Sequence, residues 1–211
     1  MQANRWFSWL WNGLRLSGRD RHHRLVRQAG RTLGVLARIA AENPVPDVYR
    51  PRILAYLRKI DPFVFEEIVL TVIERSNVVV TRNTRYTGDG GVDGRFHLVE
   101  GDVLIQCKRY GSHIDRKHLE VFGAQVLPQR AVFGVFVHTG RTGDLARSTA
   151  RATPHVGIVS GALLVDVLLG RASLAAFEQQ RLARPSAMDR TMAVPMSASV
   201  AWATPSRKRA P

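Results

Sequence analysis

The sequence predicts an α/β domain with a mixed central β-sheet flanked by helices, preceded by a basic helical arm. Segments with apolar residues at helical spacing alternate along the chain with short β-branched runs. Two of these runs surround a tight turn and predict an antiparallel hairpin. Residues 131–138 form a continuous apolar run, which is typical of a buried strand. Together these patterns favour a mixed sheet with helices on both faces.

The first predicted helix spans residues 24–42, where apolar side chains recur at helical spacing. Asn43-Pro44-Val45-Pro46 interrupts it, because proline disfavours a helical conformation in the residue before it. A short helix is predicted over residues 51–59. Asp61 followed by Pro62 is typical of a helix start, so the next helix is predicted from Pro62 to Arg75.

From Pro62 onward the predicted order is α-β-β-β-α-β-α-β-α. Strands are favoured where β-branched and apolar residues cluster, and helices where a capping residue precedes a periodic segment. The predicted strands are 78–82, 92–99, 103–108, 131–138 and 157–160, and the later helices are 116–127, 142–152 and 162–169.

The formal net charge of +14 and the isoelectric point of about 11.3 favour a polyanionic partner, with nucleic acid first and an anionic membrane surface second. The charge lies at the ends. Residues 1–59 have twelve basic and three acidic residues, residues 60–182 have fourteen and thirteen, and residues 183–211 have five and one. The alternative is that the excess charge only keeps an Arg-rich protein in solution.

Cysteine content and hydropathy exclude several classes of protein. One cysteine excludes an internal disulfide framework and a Cys-rich zinc site, which fits a reducing cytoplasm. No run of about 18 apolar residues exists, so stable membrane insertion is not expected. The apolar, basic start lacks the features of a signal peptide and is expected to be a helix docked on the domain or a partner.

The chemistry-bearing segments are the glycine-rich run 88–94 and the strand end 106–110. Side chains alternate along a strand, so Gln106 and Lys108 share one face. A two-residue turn at Glu100-Gly101 would place Asp93 directly opposite Lys108 and diagonal to Gln106. These three side chains are then predicted to project from one face of the hairpin.

This set of groups suits phosphodiester hydrolysis. The carboxylate of Asp93, the amide oxygen of Gln106 and the backbone carbonyl of Cys107 are ligands for a hard cation, Mg²⁺ or Mn²⁺. Lys108 would orient the attacking water or stabilise charge on the phosphate. The Cys107 side chain is predicted to face away from the site, as a core residue and not a nucleophile.

Glu66 is predicted at the edge of the apolar arc of its helix, facing the sheet. A carboxylate there needs a partner, which a metal-bound water or Lys108 would supply. Glu67 falls beside Glu74 on the polar side of the helical wheel and is expected to be solvated.

These motifs resemble those of the Mrr-like restriction endonucleases of the PD-(D/E)XK nuclease superfamily, over roughly residues 60–170. The matching segments are Phe65-Glu66, Gly88 to Asp93, Gln106 to Tyr110, and Phe133 to Val137 with Thr139-Gly140. The resemblance implies a restriction-endonuclease-like fold, Mg²⁺ as cofactor and double-stranded DNA as substrate. It also implies one catalytic set: Glu66, Asp93, Gln106 and Lys108. His138, where the family more often has threonine, is a departure.

The sequence thus predicts a restriction-type, metal-dependent DNA endonuclease, with modification dependence and a homodimer left open. An inactive DNA-binding protein on the same fold and a basic protein that binds membrane surfaces or partners are the alternatives. Residues 1–50 are predicted as the basic arm, 51–182 as the catalytic domain and 183–211 as a disordered tail. Arg85, Arg109 and Tyr110 are the predicted DNA contacts, with ordinary strand-end exposure as the alternative for the last two.

Overall fold

The computed structural model describes residues 4–83 and 91–174, with side chains described from residue 22 onward. The described part contains six helices and five strands. In chain order they are α1 (Asn4–Glu42), α2 (Pro46–Leu57), α3 (Pro62–Arg75), β1 (Val79–Arg82), β2 (Gly94–Leu98), β3 (Gly101–Lys108), α4 (Arg116–Val126), β4 (Phe133–His138), α5 (Asp144–Ala152), β5 (Val156–Val159) and α6 (Gly161–Leu168). The predicted order of elements from Pro62 onward is confirmed.

Two helix starts follow from local side-chain capping. The Asp61 carboxylate accepts hydrogen bonds from the backbone N–H groups of Phe63 at 2.8 Å and Val64 at 3.3 Å, so α3 begins at Pro62 as predicted. Asp115 caps α4 in the same way by accepting from the N–H of Lys117 at 2.9 Å. These caps satisfy backbone donors that have no partner inside the helix.

The five strands form one sheet in the order β1-β2-β3-β4-β5. The first three pair antiparallel, whereas β3 with β4 and β4 with β5 pair parallel. The predicted mixed sheet is confirmed. Helices cover both faces: the core cluster on one face includes side chains of α1, α2, α3 and α6, and the cluster on the other face includes side chains of α4 and α5.

Helix α1 begins earlier than predicted and belongs to the main core. Its buried apolar side chains pack in the same cluster as those of α3 and α6. They are Leu25, Ala29, Leu33, Leu36 and Ala40. The division of the chain at residue 50 stays a prediction, but we expect removal of residues 1–50 to expose this core. Among the helices of the described part of the chain, none has the length and hydropathy of a membrane span.

The predicted hairpin register is wrong by two residues. Leu98 pairs with Gly101, so the turn consists of Val99 and Glu100 instead of Glu100 and Gly101. Gly101 lies against Val132, where an added Cβ would come within 2.6 Å of the valine side chain. The start of β3 is therefore held against the β4 side of the sheet, and the fully exposed Val99 forms the turn. A shift of two residues preserves side-chain alternation along β3.

Candidate active site

The predicted site lies where β3 extends beyond β2. The ladder between them ends at the pair Gly94 and Ile105, so the last residues of β3 have no β2 partner. Asp93 is also hydrogen-bonded to Ile105, because its N–H donates to the Ile105 carbonyl at 2.8 Å. Asp93 and Gly94 on one strand therefore both lie opposite Ile105 on the other. This is the arrangement of a β-bulge, which changes the direction of a side chain. Asp93 is not opposite Lys108, which corrects the predicted pairing.

The Asp93 carboxylate is fixed on the backbone of β3. Its Oδ2 accepts a hydrogen bond of 2.6 Å from the N–H of Cys107. Backbone N–H and C=O groups of one strand residue point toward the same neighbour, so the Cys107 carbonyl is directed to the side on which Asp93 lies.

Gln106 is buried, with 4% of its surface exposed, and a hydrogen bond fixes the orientation of its side-chain amide. The amide nitrogen donates to the Gly91 carbonyl, whereas Oε1 accepts no hydrogen bond. A buried acceptor without a partner is unfavourable unless another group, such as a cation, is bound to it. Gly91 has a φ of +87°, which favours glycine, and an added Cβ would also meet the Gln106 amide nitrogen.

Cys107 points into the core on the other face of the sheet, as predicted. Its side chain is 3% exposed and belongs to the core cluster that contains α3. Burial raises the pKa of this thiol well above its ordinary value, and the negative charges of Asp93 and Glu66 raise it further, while Lys108 opposes the shift. The thiol is therefore protonated at neutral pH. Both carboxylates also lie close enough to Cys107 to act on it.

Glu66 approaches from the helix layer that packs on the Cys107 face. Its side chain is half-buried on α3, as its predicted position at the edge of the apolar arc requires. Gln106 alternates with Cys107 and shares the opposite face with Leu104, which packs against α4. Glu66 and Gln106 are therefore on opposite sides of β3, at the edge that β2 leaves uncovered.

Lys108 is the last residue of β3 and pairs with His138 of β4. His138 is fully buried, and burial lowers its pKa to about 4, so the ring next to Lys108 is neutral at pH 7. Its Nε2 lies 3.1 Å from the Thr142 hydroxyl. The departure at this position thus places an uncharged ring beside the lysine.

The predicted DNA contacts have different environments. Arg109 is exposed, with one guanidinium nitrogen donating to the Arg58 carbonyl at 2.5 Å. Tyr110 is half-buried, and its hydroxyl is hydrogen-bonded to His118. Arg85 lies outside the described residues. None of these contacts is tested by the geometry, and all three stay predictions.

Thr139 was not recognised as a site residue from the sequence, although it fixes the end of β3. Its hydroxyl accepts from the N–H of Tyr110 and donates to the Tyr110 carbonyl, both at 3.0 Å. Its own N–H donates to the Lys108 carbonyl at 3.3 Å, and its carbonyl accepts from Nε of Arg58 at 2.9 Å. The signal was present as a threonine directly after a buried strand.

Glu67 is not solvated, which corrects its assignment to the polar side of α3. It is 4% exposed, and Arg82 at the end of β1 donates to it at 2.9 Å. The same guanidinium donates to Glu74 at 3.1 and 2.7 Å. The next residue, Asn83, donates to the Val92 carbonyl just before Asp93. This ion pair anchors the strand that leads into the glycine-rich segment.

The residues present fit a hard cation held by few protein ligands. Asp93 offers a carboxylate, and Gln106 offers a buried amide oxygen with no other partner. In the described part of the chain, no group of three or more His, Cys, Asp and Glu side chains is arranged to hold a metal. A centre rich in histidine or cysteine is therefore not built from those residues.

A mixed sheet with an acid, an amide and a lysine near one strand end is the arrangement that the sequence predicted for a nuclease. Comparison with known proteins specifies the family. The family model Mrr_cat, described as restriction endonuclease, matches residues 57–168, just over half of the 211 residues. The chain belongs to this family, and the predicted resemblance to Mrr-like restriction endonucleases is confirmed.

Two individual proteins show similarity. The type IV methyl-directed restriction enzyme EcoKMrr of Escherichia coli (strain K12) is 31% identical over 130 residues, which cover 58% of this chain. The match covers only 43% of that enzyme. A structure of the MspJI restriction endonuclease in complex with a 27-mer oligonucleotide is 20% identical, with a TM-score of 0.37, over 75% of this chain and 36% of that chain.

Proposed function

We propose that the protein is a DNA endonuclease that hydrolyses phosphodiester bonds with Mg²⁺ or Mn²⁺ as cofactor. The observation that supports this most directly is the buried Oε1 of Gln106, which lacks a hydrogen-bond partner and belongs to the strand that fixes the Asp93 carboxylate through the N–H of Cys107. Membership of the restriction endonuclease family supports the same reaction class.

Asp93, Gln106 and the backbone carbonyl of Cys107 hold the cation in this proposal. A bound divalent cation supplies positive charge at the scissile phosphate and makes an adjacent water easier to deprotonate. Lys108 stabilises the negative charge that develops on the phosphate, as a fixed positive group at the end of β3. Glu66 reaches the uncovered edge of β3 from α3 and orients the attacking water.

His138 and Thr139 position this machinery without touching the substrate. The buried neutral ring of His138 adds no positive charge that would repel the Lys108 ammonium. Thr139 fixes Tyr110 through its hydroxyl and Lys108 through its backbone N–H. The end of β3 is therefore held in one geometry before DNA binds, which is the arrangement that electrostatic catalysis requires.

Two finer properties belong to the proposal. The name of the EcoKMrr relative describes it as methyl-directed, so we propose that modified bases in DNA raise cleavage by this protein as well. Cutting both strands of a duplex usually takes two active sites, so a homodimer on DNA is the proposed active form.

The proposed function is tested by incubating the full chain with supercoiled plasmid, with Mg²⁺, with Mn²⁺ and with EDTA. We expect nicked or linear plasmid with at least one of the two cations and none with EDTA. Methylated and unmethylated preparations of the same plasmid test the modification dependence. Tight binding of both plasmids without cleavage under either cation would instead indicate an inactive DNA-binding protein.

Gln106→Glu is expected to strengthen Mg²⁺ binding and to destabilise the metal-free protein. The new carboxylate adds negative charge at the ligand position, but it can no longer donate to the Gly91 carbonyl. Calorimetry would show a lower Kd for Mg²⁺ than in the unmodified protein. The Tm of the variant would be lower in EDTA and would rise more steeply with added Mg²⁺.

Gln129→Glu adds the same charge at a residue that accepts from Arg95, so it serves as the matched control. Weaker Mg²⁺ binding by Gln106→Glu than by the control would remove Gln106 from the ligand set.

A further inference from the structure

Helix α1 has four arginines on the side opposite the core. Residues 22–41 contain no acidic residue. With about 100° per residue, the four arginines lie within an arc of about 60°, whose centre is about 170° from that of the buried apolar row. They are Arg24, Arg27, Arg31 and Arg38, all exposed. Such an arrangement is more ordered than general basicity requires.

Three of these arginines line a groove between α1 and α2. The groove has a volume of about 570 Å³, and Gln28, Thr32, Val35 and Tyr56 complete its lining. Arginine side chains only donate hydrogen bonds, and glutamine, threonine and tyrosine can also donate. No acidic residue lines the groove. Its chemistry therefore suits an anion with many acceptor oxygens.

The groove arginines form no ion pair within the described part of the chain, in contrast to six other arginines there. Arg50, Arg52, Arg82, Arg95, Arg116 and Arg147 each pair with a carboxylate. Arg24, Arg27 and Arg31 do not pair with any carboxylate of the described residues, so their positive charge is not neutralised within that part of the chain. Charge that is not neutralised internally attracts an external anion.

The groove adjoins the end of the sheet where Lys108 lies. Tyr56 of the groove is two residues from Arg58, which donates to the Thr139 carbonyl at 2.9 Å. Thr139 in turn donates its N–H to the Lys108 carbonyl. The groove and the end of β3 are therefore linked through Arg58 and Thr139.

We propose that the groove binds phosphates of duplex DNA and guides the substrate toward the Lys108 end of the sheet. The inference rests on the proposed function and adds a binding site outside the segment that matches the family model. Arg24 and Arg38 are about 21 Å apart along the helix axis, which corresponds to about six phosphates of one strand. The contacts are to the backbone and are blind to base sequence.

A membrane surface fits this helix less well. A helix that lies on a bilayer must expose its apolar face to the lipid. In α1 the apolar row Leu25, Ala29, Leu33, Leu36 and Ala40 is buried in the core and is not available. The exposed face is polar and concave at the groove, which suits a phosphate backbone.

The inference is tested by the salt dependence of binding to a labelled duplex of about 30 base pairs in EDTA, where cleavage is not expected. The groove variant combines Arg24→Gln, Arg27→Gln and Arg31→Gln. The control combines Arg52→Gln, Arg75→Gln and Arg130→Gln, which removes three charges from exposed positions outside the groove. Each lost phosphate contact lowers the slope of log K against log salt by about 0.9. We expect a decrease of about 2 to 3 for the groove variant and little change for the control.

Lysine at the same three groove positions should restore the slope, because point charges still contact phosphate. Equal slopes for the groove and control variants, or no duplex binding by the unmodified protein, would overturn the inference. Binding of the protein to phosphatidylserine vesicles but not to duplex would overturn it as well. If the unmodified protein nicks plasmid but the groove variant keeps the normal salt slope, the groove proposal is refuted and the proposed nuclease function is not. If the groove variant changes the slope but the unmodified protein does not nick plasmid, the proposed nuclease function is refuted and the groove proposal is not.

Discussion

Asp93→Asn and Lys108→Met are each expected to slow plasmid nicking by about 100-fold or more, for different reasons. Asparagine at 93 keeps the shape of the side chain but removes the negative charge that binds the cation. Methionine at 108 keeps the apolar stem and removes the charge that stabilises the phosphate in the transition state. Metal binding separates the two effects.

Calorimetry with Mg²⁺ should show weaker binding for Asp93→Asn and unchanged or tighter binding for Lys108→Met, which removes a nearby positive charge. Nicking rates are measured at equal protein concentration on the same plasmid. Asp144→Asn and Arg130→Gln are the matched controls. Each removes one charge of the same sign from an exposed residue, and Arg130 precedes β4 and so lies at the opposite end of the strands from Lys108.

Both controls should nick at close to the normal rate. A Lys108→Met protein that retains full activity would remove the lysine from the reaction. An Asp93→Asn protein that binds Mg²⁺ normally would place the cation elsewhere, and the unpartnered amide oxygen of Gln106 would need another explanation.

Local chemistry was sufficient to predict the elements that surround this site. Helix α3 begins at Pro62 and ends at Arg75 as predicted, because the Asp61 cap and the proline after it act within one helical turn. The alternation that puts Cys107 in the core and Gln106 on the other face also depends only on the strand itself. Features determined within a few residues are accessible from sequence.

Features that depend on contacts between distant segments were missed. The hairpin register depends on how Gly101 packs against Val132, thirty-one residues further along the chain. The direction of the Asp93 carboxylate depends on its hydrogen bond to the backbone of Cys107. A helical wheel places Glu67 on a polar side, but it cannot show that Arg82 comes from a neighbouring strand to neutralise it there.

The Arg82 ion pairs lead to the second large expected effect, which is on stability. Arg82→Met is expected to lower the free energy of unfolding by about 3 kcal/mol, because it leaves the Glu67 carboxylate buried without its cation. The Glu67 side chain is 5% exposed, and its other contacts are the Thr71 hydroxyl at 3.3 Å and His22 at 3.9 Å. Urea unfolding followed by circular dichroism measures the loss.

Combining Glu67→Gln with Arg82→Met should recover part of the loss, because no buried charge then remains unpaired. Arg52→Met is the matched control, since it breaks an ion pair with Glu42 in which both side chains are about half exposed. That change should cost less than about 1 kcal/mol. Equal losses for the single and double variants would show that packing of the arginine stem, and not charge, stabilises this contact.

The pH dependence provides an independent check of the second ion pair of Arg82, the one with Glu74. The hydrogen bond from Arg82 lowers the pKa of Glu74 below its ordinary value. A lowered folded-state pKa contributes stability above the unfolded-state pKa, and this contribution is lost as the pH falls through the folded-state value. The unmodified protein should therefore lose this stability below about pH 4.5, whereas Arg82→Met should lack this part of the acid-dependent loss. Identical acid-dependent losses in both proteins would show that the pair contributes nothing to folding.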